Sequence, residues 1–303
     1  MKRLIPKILA AVALSIVPDS PLKAADLKPG TLNAWNEYIQ AEDSRIAERV
    51  RSGEFLWSDQ SPDRHRRVRN GEIVIAPFGE NVPKSVPHGL IHHWVGAVFV
   101  PNARLDDIFA VVRDYRRYKE FYAPMVLESK ALREGARDDR FSMLMLNKAL
   151  FAKTAMDAEF QESYVQLDDR RWYSVAVSTR VQQVDNYGQA DQHELPPNAG
   201  AGYIWRLYSL SRFEERDGGV YVELEAIALS RDIPISLRWI ANPIVRRVSK
   251  GSLMTSLQKT EEAVRSTNEV ASRAAKADGA FQPTATAGAF SIKQSLMPFT
   301  PGK

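Results

Sequence analysis

Six strand-like segments follow one another through the middle of the chain, and this run restricts the folds available to it more than any other feature. They occupy residues 125–133, 139–147, 152–167, 171–184, 203–216 and 219–231. Turn-forming residues separate them, among them Gly135, Asp168-Asp169 and Asp217-Gly218. Because consecutive strands joined by short turns pair antiparallel, the run predicts a large antiparallel sheet.

Segments with helical patterns lie on both sides of this run. A strand at 91–100 and a helix at 104–120 precede it, another helix at 31–52 lies further upstream, and a long helix at about 235–266 follows it. Strands grouped together with helices at the ends are typical of an α+β fold. We therefore predict a curved antiparallel sheet around a long C-terminal helix, with an extra N-terminal helix. A bent sheet of this kind would leave a pocket against the helix.

The first 25 residues have the order of a secretory signal peptide. Lys2, Arg3 and Lys7 precede the apolar run 8–17, and Ala24-Ala25 supplies small residues for cleavage. The run has only ten residues, whereas a membrane-spanning helix needs about 20. The alternative is a membrane-tethering anchor, which so short a run disfavours. We therefore expect an exported protein, periplasmic or secreted after cleavage of the signal.

Four segments are expected along the chain. They are a signal peptide at 1–25, an N-terminal helix and linker at 26–89, the sheet-and-helix domain at 90–266, and a mobile tail at 267–303. Pro83 and Pro87 mark the linker. The tail is rich in Ala, Ser, Thr, Gly and Pro, and a segment of that composition buries little apolar surface.

Charge and cysteine content exclude several classes of function. Residues 1–25 carry four of the 41 basic and one of the 37 acidic residues, so the net charge of +4 falls to +1 without them. A basic surface for nucleic acid is therefore not indicated. The chain has no cysteine, which excludes disulfides, Cys-ligated zinc and a thiol nucleophile.

The Asp217-Gly218 turn predicts which side chains share a face of the sheet. If it is a two-residue turn, Arg216 lies opposite Gly219. The first face then carries Trp205, Leu207, Ser209, Ser211 and Phe213 against Val222, Leu224, Ala226 and Ala228. The second face carries Arg206, Tyr208, Leu210 and Arg212 against Tyr221, Glu223, Glu225, Ile227 and Leu229. A turn of another length would exchange the two faces.

The first of these faces is the candidate ligand site. Small residues at its centre leave volume between the sheet and the C-terminal helix. The predicted ligand lining is Trp205, Leu207, Ser209, Ser211, Leu224 and Ala226 from the sheet, with Trp239 and Met254 from the helix. The alternative is that the helix simply packs closely at these positions. On the second face, we expect the N-terminal helix to cover the apolar residues through Trp35, Tyr38 and Ile39.

Acid–base chemistry would require the charged residues of the second face. Glu223 and Glu225 lie two apart on one strand, with Arg206 and Arg212 on the same face. Carboxylates with a raised pKa in a closed site serve as acids or bases. The alternative, which we favour, is an exposed ladder of ion pairs, since charged side chains are rarely buried.

Metal and nucleophile signatures are weak. His92 and His93 are adjacent on a strand and point to opposite faces, so both cannot bind one metal ion. We expect His88, His92 and His93 to lie at the surface or at a strand edge. The sequence has no Gly-x-Ser-x-Gly motif. We therefore assign no catalytic residue, no metal and no cofactor.

Basic residues cluster in two places that could contact an anionic membrane surface. Arg64, Arg66, Arg67 and Arg69 lie in a polar segment expected to be a solvated loop, and a second group lies on the last helix at 246–250. Only a shared face would make them one docking surface.

Over residues 90–266 the chain resembles the START-like, or SRPBCC, superfamily, and within it the polyketide-cyclase and coenzyme-Q-binding branch. The resemblance rests on 95–100, 105–115, Tyr118, Phe121, Tyr122, Pro124, 203–206, 219–223 and 229–234. It implies a helix-grip fold, in which a curved antiparallel sheet wraps around the C-terminal helix. Such folds serve lipid carriers, receptors and cyclases, so the fold does not determine the function.

Together these observations predict a protein that binds or transports a hydrophobic or amphipathic small molecule, such as a lipid or a quinone-like compound. One alternative is a cofactor-free cyclase or hydratase in the same fold, with Glu225 and Arg206 facing the pocket. A second alternative is a structural or interaction module of the cell envelope, with the cavity filled by side chains.

Overall fold

The computed structural model describes residues 26–149, 152–200, 204–233 and 238–279. Its helices are α1 (Pro29–Ser52), α2 (Pro62–Arg69), α3 (Leu105–Val112), α4 (Tyr118–Phe121) and α5 (Arg238–Gly279). Its strands are β1 (Val74–Pro77), β2 (Lys84–Val86), β3 (Gly89–Pro101), β4 (Val126–Arg133), β5 (Asp138–Ala149), β6 (Ala152–Gln166), β7 (Arg171–Asp185), β8 (His193–Glu194), β9 (Arg206–Arg216) and β10 (Gly219–Arg231). The predicted signal peptide at 1–25 and the end of the predicted tail lie outside the described residues.

The strands form one curved antiparallel sheet. Their order is β1-β3-β10-β9-β7-β6-β5-β4, with β2 added to β3 and β8 added to β7. The last strand, β10, lies between β3 and β9, so the sheet joins the first long strand to the final hairpin. The predicted α+β helix-grip architecture, with a long C-terminal helix and an extra N-terminal helix, is confirmed.

Two segments predicted to lack regular structure are ordered. Strand β2 lies inside the predicted linker and pairs with β3. Helix α2 replaces the loop expected around Arg64–Arg69, because Ser61 accepts a hydrogen bond from the backbone N–H of Arg64 and Pro62 fits the first helical turn. The sequence prediction missed this cap and the pairing of the linker with the sheet.

The predicted helices at 104–120 and 235–266 differ in their ends. The first is interrupted, since α3 ends at Val112 and α4 begins at Tyr118. Helix α5 continues to Gly279, through an alanine-rich segment whose residues favour the helical state. The chain divides into two units at Arg265/Ser266, so the second described unit is the C-terminal part of α5.

The β9–β10 hairpin has the predicted two-residue turn. Asp217 and Gly218 both have a positive φ, of 56° and 77°, as a type I′ turn requires. Arg216 lies opposite Gly219, which is the register that the turn predicts. The predicted alternation of the two faces is therefore confirmed along the paired residues 206–216 and 219–229.

The inner face of the sheet packs against α5. Leu253 and Leu257 of α5 join a buried cluster with Val98, Phe213 and Val222 from β3, β9 and β10. Further aromatic residues extend this cluster across β5 and β6, where Phe141 and Phe160 stack with ring centroids 5.1 Å apart. The cluster holds α5 over the middle of the sheet.

Gly96 of β3 allows α5 to approach closely. A Cβ atom at this position would lie 2.7 Å from Cδ1 of Leu257 and 3.0 Å from Cγ1 of Ile75. We expect Gly96→Ala to lower the free energy of unfolding by about 1–3 kcal/mol, because a well-packed core cannot absorb the added methyl group without strain. Urea denaturation followed by circular dichroism measures this change.

The matched control is Gly251→Ala in α5, where nothing lies within 4 Å of the added Cβ. Alanine in a helix interior is expected to raise the free energy of unfolding there by about 0.5–1 kcal/mol. Equal effects of the two substitutions would contradict the close approach at Gly96.

The outer face of the sheet lies under α1. Trp35 and Ile46 of α1 form a buried cluster with apolar residues of β9 and β10, including Tyr208, Leu210 and Ile227. Tyr38 and Ile39 pack at its margin. The predicted cover by the N-terminal helix is confirmed, and both faces of the hairpin are therefore in contact with a helix.

None of the helices among the described residues is both long enough and apolar enough to cross a membrane.

Candidate functional site

The candidate site is the part of the inner face whose side chains are only half-buried. We call Leu207, Ser209, Ser211, Leu224 and Ala226 the groove face. All of these side chains are half-buried, whereas the outer residues that alternate with them, from Tyr208 to Arg212 and from Glu223 to Ile227, are almost fully buried. The sheet is therefore more open on its inner face than on its outer face at the β9–β10 hairpin.

The other three predicted lining residues differ in placement. Met254 is half-buried in α5, beside the buried Leu253. The backbone of Trp239 lies in α5, and its side chain lies outside the described residues. The prediction for Trp205 is wrong. This residue belongs to the outer cluster with Trp35 and not to the groove face. It precedes β9, which begins at Arg206, so the strand alternation does not govern its direction.

A row of small residues crosses the inner face from β10 to β6. Ala226 pairs with Ser209, Ser209 pairs with Ala176, and Ala176 pairs with Glu162. Directly opposite residues of an antiparallel pair share a face, so these side chains lie on the same side of the sheet. The row thus extends from the groove face to a carboxyl group.

Glu162 belongs to a buried polar cluster, which we call the Glu162 cluster. The Tyr115 hydroxyl lies 2.9 Å from Oδ2 of Asp139, 3.0 Å from Oε2 of Glu162 and 3.1 Å from the Tyr164 hydroxyl. Asp139 also accepts hydrogen bonds from Nε and Nη2 of Arg113, at 3.1 and 3.2 Å. Glu162 is 8% exposed and Asp139 is fully buried.

Burial dominates the electrostatics of this cluster. It raises the pKa of Glu162 to about 7, against the opposing effect of the Tyr115 hydrogen bond and of the nearby Ser174 and Tyr164 hydroxyls. Sequence reasoning did not select Glu162. Its signal was available, since Glu162 alternates with Phe160 and Tyr164 and so places a carboxyl group on an apolar face.

A second buried group lies on the outer face, between the sheet and α1, and we call it the Glu225 cluster. Glu225 is 1% exposed and accepts hydrogen bonds from Nη2 of Arg45 at 2.5 Å and from Nη2 of Arg212. Nε2 of His93 lies 3.1 Å from the same carboxylate. Burial would raise the pKa of Glu225, but Arg212, His93 and Arg45 outweigh it and hold that pKa far below its usual range.

Glu223 joins the N-terminal segment to the sheet. Its two carboxylate oxygens accept the backbone N–H groups of Trp57 and Ser58, both at 2.7 Å. Arg212 lies 3.3 Å away. The carboxylate thus satisfies the first N–H groups of the short 3₁₀ helix Ser58–Gln60.

The expected exposed ladder of ion pairs is wrong, because α1 covers it. Glu223 and Arg212 are 0% and 2% exposed. Arg206 does not join them and instead donates to Asn198 and to the backbone of Trp205. Glu225 and Arg206 therefore do not face the groove, which removes the acid–base pair that the cyclase alternative required.

His92 and His93 are buried, contrary to the expectation that they lie at the surface or a strand edge, whereas His88 is exposed as expected. His92 lies 2.9 Å from Oγ of Ser230, and burial lowers its pKa to about 4. His93, on the opposite face, contacts Tyr38 and Glu225. Ligand atoms of Glu42, His93 and Glu225 lie within 4.8 Å of one another, as a metal site would require. Because Arg45 and Arg212 already balance this carboxylate charge, the residues present do not favour a cation there.

The basic cluster of α2 makes internal contacts. Arg64 donates to the carbonyl of Trp57, Arg67 pairs with Glu72, and Arg69 donates to the carbonyl of Asp217. On α5, Arg246, Arg247 and Lys250 are exposed. Membrane contact stays a prediction for these residues.

A polar cleft of about 380 Å³ lies on the other side of the sheet, across β4 to β8. Its lining includes Glu128, Lys130, Asp157, Gln192, His193 and Glu194. None of the eight predicted lining residues belongs to it. Charged walls of this kind do not suit an apolar ligand.

Comparison with known proteins finds similarity to solved structures alone. No family model matches the sequence, and no curated protein matches it significantly. The STAR-related lipid transfer protein of Xanthomonas axonopodis is 20% identical over 64% of this chain and 98% of that chain, with a TM-score of 0.41. Human STARD10 is 11% identical over 72% of this chain and 84% of that chain, also with a TM-score of 0.41.

The Zhui aromatase/cyclase of a Streptomyces species is 14% identical over 58% of this chain and 94% of that chain, with a TM-score of 0.37. At these identities and TM-scores, the similarities assign neither a family nor a function to this chain.

Proposed function

We propose that the chain binds an apolar or amphipathic small molecule, of lipid or quinone type, between the inner face of its sheet and α5. The observation that carries the proposal is the contrast within the β9–β10 hairpin. Its central outer side chains, such as Tyr208, Leu210 and Ile227, are almost fully buried in the cluster with α1, while the five residues of the groove face are half-buried. Small side chains at Ser209, Ser211 and Ala226 take up less volume than the bulky ones that a core strand would otherwise carry, which supports a ligand space there.

Burial of the ligand supplies the binding free energy. Apolar area removed from water contributes about 25 cal/mol per Å², from which the cost of immobilising the ligand is subtracted. Leu207 and Leu224 offer apolar contact, and the hydroxyl groups of Ser209 and Ser211 offer hydrogen bonds to a polar substituent. An amphipathic ligand matches this combination better than a purely aliphatic one.

Export is part of the proposal. The order of charged, apolar and small residues at 1–25 supports cleavage of a signal and release of the remaining chain outside the cytoplasm. A carrier of apolar molecules in an aqueous compartment would shield its cargo from water there.

Native mass spectrometry of the protein purified without detergent tests the proposal. We expect a mass excess that disappears on denaturation and that organic extraction recovers as an apolar compound. Titration with N-phenyl-1-naphthylamine, an apolar fluorophore, covers the case in which the ligand is lost in purification. A mass without excess, together with no fluorescence gain, would contradict the proposed function.

A further inference from the structure

The hydrogen bonds of the Glu162 cluster do not balance if both of its carboxyl groups are ionised. The Tyr115 hydroxyl carries one proton, and it lies 2.9 Å from Asp139 and 3.0 Å from Glu162. It can donate to only one of them. The other contact would then bring two oxygen lone pairs together in a fully buried place, which is unfavourable.

The Tyr164 hydroxyl does not resolve this shortage. It lies 3.1 Å from the Tyr115 oxygen and 3.4 Å from the carbonyl of Val112, so its single proton goes to one of those acceptors. One more proton is therefore needed between the two carboxyl groups.

Asp139 is the carboxyl group that stays ionised. It accepts Nε of Arg113 at 3.1 Å, Nη2 of Arg113 at 3.2 Å and the backbone N–H of Gly135 at 2.8 Å. Three donors, two of them on a cation, stabilise its negative charge. In contrast, no cation pairs with Glu162 among the residues that the structure describes.

We propose that Glu162 holds a proton in the folded chain up to near-neutral pH, and that this proton forms a clasp between the sheet and the segment carrying Tyr115. The donors then run in one direction, from Glu162 to the Tyr115 oxygen and from the Tyr115 hydroxyl to Asp139. The clasp joins β5 and β6 to the turn between α3 and α4, at one end of the inner face. Ionisation of Glu162 removes the proton and opens the clasp.

The groups packed against Glu162 do not all act in the same sense, because burial and the charge of Asp139 favour its protonated form, whereas the Ser174, Tyr115 and Tyr164 hydroxyls oppose it. The facing titratable and charged groups are Tyr115, Tyr118 and Tyr122 from the α3–α4 segment, Arg113 beyond α3, Asp139 from β5 and Tyr164 from β6, with the Ser174 hydroxyl from β7. The guanidinium of Arg113 is paired with Asp139 and does not stabilise the ionised form of Glu162. The protonated form of Glu162 therefore remains favoured. The pKa of about 7 that burial gives this carboxyl group agrees with the hydrogen-bond count.

The sign of the linkage follows from that raised pKa. An unfolded Glu has a pKa of about 4.3, so between about pH 4.3 and 7 only the folded chain holds this proton. The stability that it contributes is complete below pH 4.3 and is lost as the pH rises to 7. His92 acts oppositely, since its pKa is lowered to about 4 in the folded chain. The dependence of the unfolding free energy on pH therefore contains contributions from both groups. A matched variant is needed to isolate that of Glu162.

Glu162→Gln supplies that variant, because an amide keeps a donor at the same place and does not titrate. We expect the ratio of the wild-type to the variant unfolding constant to rise about tenfold per pH unit between pH 5 and 7 and to level off above pH 8. Urea denaturation at each pH measures both constants. A ratio that does not change with pH would overturn the proposal.

A second measurement keeps the test decisive if the variant does not fold. The carboxyl-carbon NMR signal of Glu162 in the wild-type chain, labelled with ¹³C, should titrate with a midpoint near 7. A Glu162 midpoint near 4 would show an ionised group at neutral pH and would overturn the clasp. This result is independent of whether any ligand occupies the groove.

Discussion

Glu225→Gln is expected to lower the free energy of unfolding by about 3–5 kcal/mol. The substitution keeps the shape of the side chain and removes its charge. Arg212, which is 2% exposed, and Arg45 then face a neutral amide in place of a carboxylate. Arg212 keeps Glu223 and Arg45 keeps Glu42, but two buried or half-buried cations then share less negative charge and cannot recover their hydration, so most of the loss comes from what the substitution leaves behind.

Urea denaturation at pH 7 measures this loss, with Glu134→Gln as the matched control. Glu134 pairs with Arg116 at 2.6 Å, but its side chain is 41% exposed and that of Arg116 is 66% exposed. An exposed pair contributes at most about 1 kcal/mol. If the two substitutions lowered the free energy of unfolding equally, the Glu225 cluster would not be buried under α1.

The same cluster sets an acid limit on stability. The pKa of Glu225 is held below its usual range in the folded chain, so its contribution is present above the unfolded pKa of about 4.3 and is lost as the pH falls below it. Acid should therefore release α1 from the sheet, since Arg45 of α1 binds this carboxylate directly.

Ala226→Trp is expected to weaken binding of N-phenyl-1-naphthylamine by about 100-fold, as the loss of roughly 100 Å² of apolar contact implies. Ala226 lies at the centre of the groove face, directly opposite Ser209 on one side and Trp94 on the other. An indole there would occupy the volume that the ligand needs. Fluorescence titration gives the dissociation constants of the two proteins.

Val177→Trp is the control, because Val177 is 39% exposed on β7 and pairs with Tyr208, which places it on the outer face. It adds an indole to the same sheet without entering the groove, so binding should be unchanged. Circular dichroism establishes that both variants are folded. A folded Ala226→Trp variant that binds as tightly as the wild type would place the ligand elsewhere.

Patterns within single segments were readable from the sequence. The two-residue turn at Asp217-Gly218 sets the register of β9 and β10, and the register sets which residues share a face. It was also predictable that Trp35 of α1 covers the outer apolar residues. A sheet with apolar residues on both faces needs a helix on each. Strand β2 was not predictable, because Lys84–Val86 has little strand character apart from its partner β3.

The sequence by itself determined the α+β class, the bounds of the long strands to within about three residues, the hairpin register and the division into an apolar inner face and a mixed outer face. Only the tertiary structure decided whether each charged residue is buried. Glu225 has the same local pattern whether or not α1 covers it, and Glu162 meets Tyr115 and Asp139 from distant parts of the chain. Burial and pairing set the pKa of a carboxyl group, and both depend on contacts between segments that no local pattern contains.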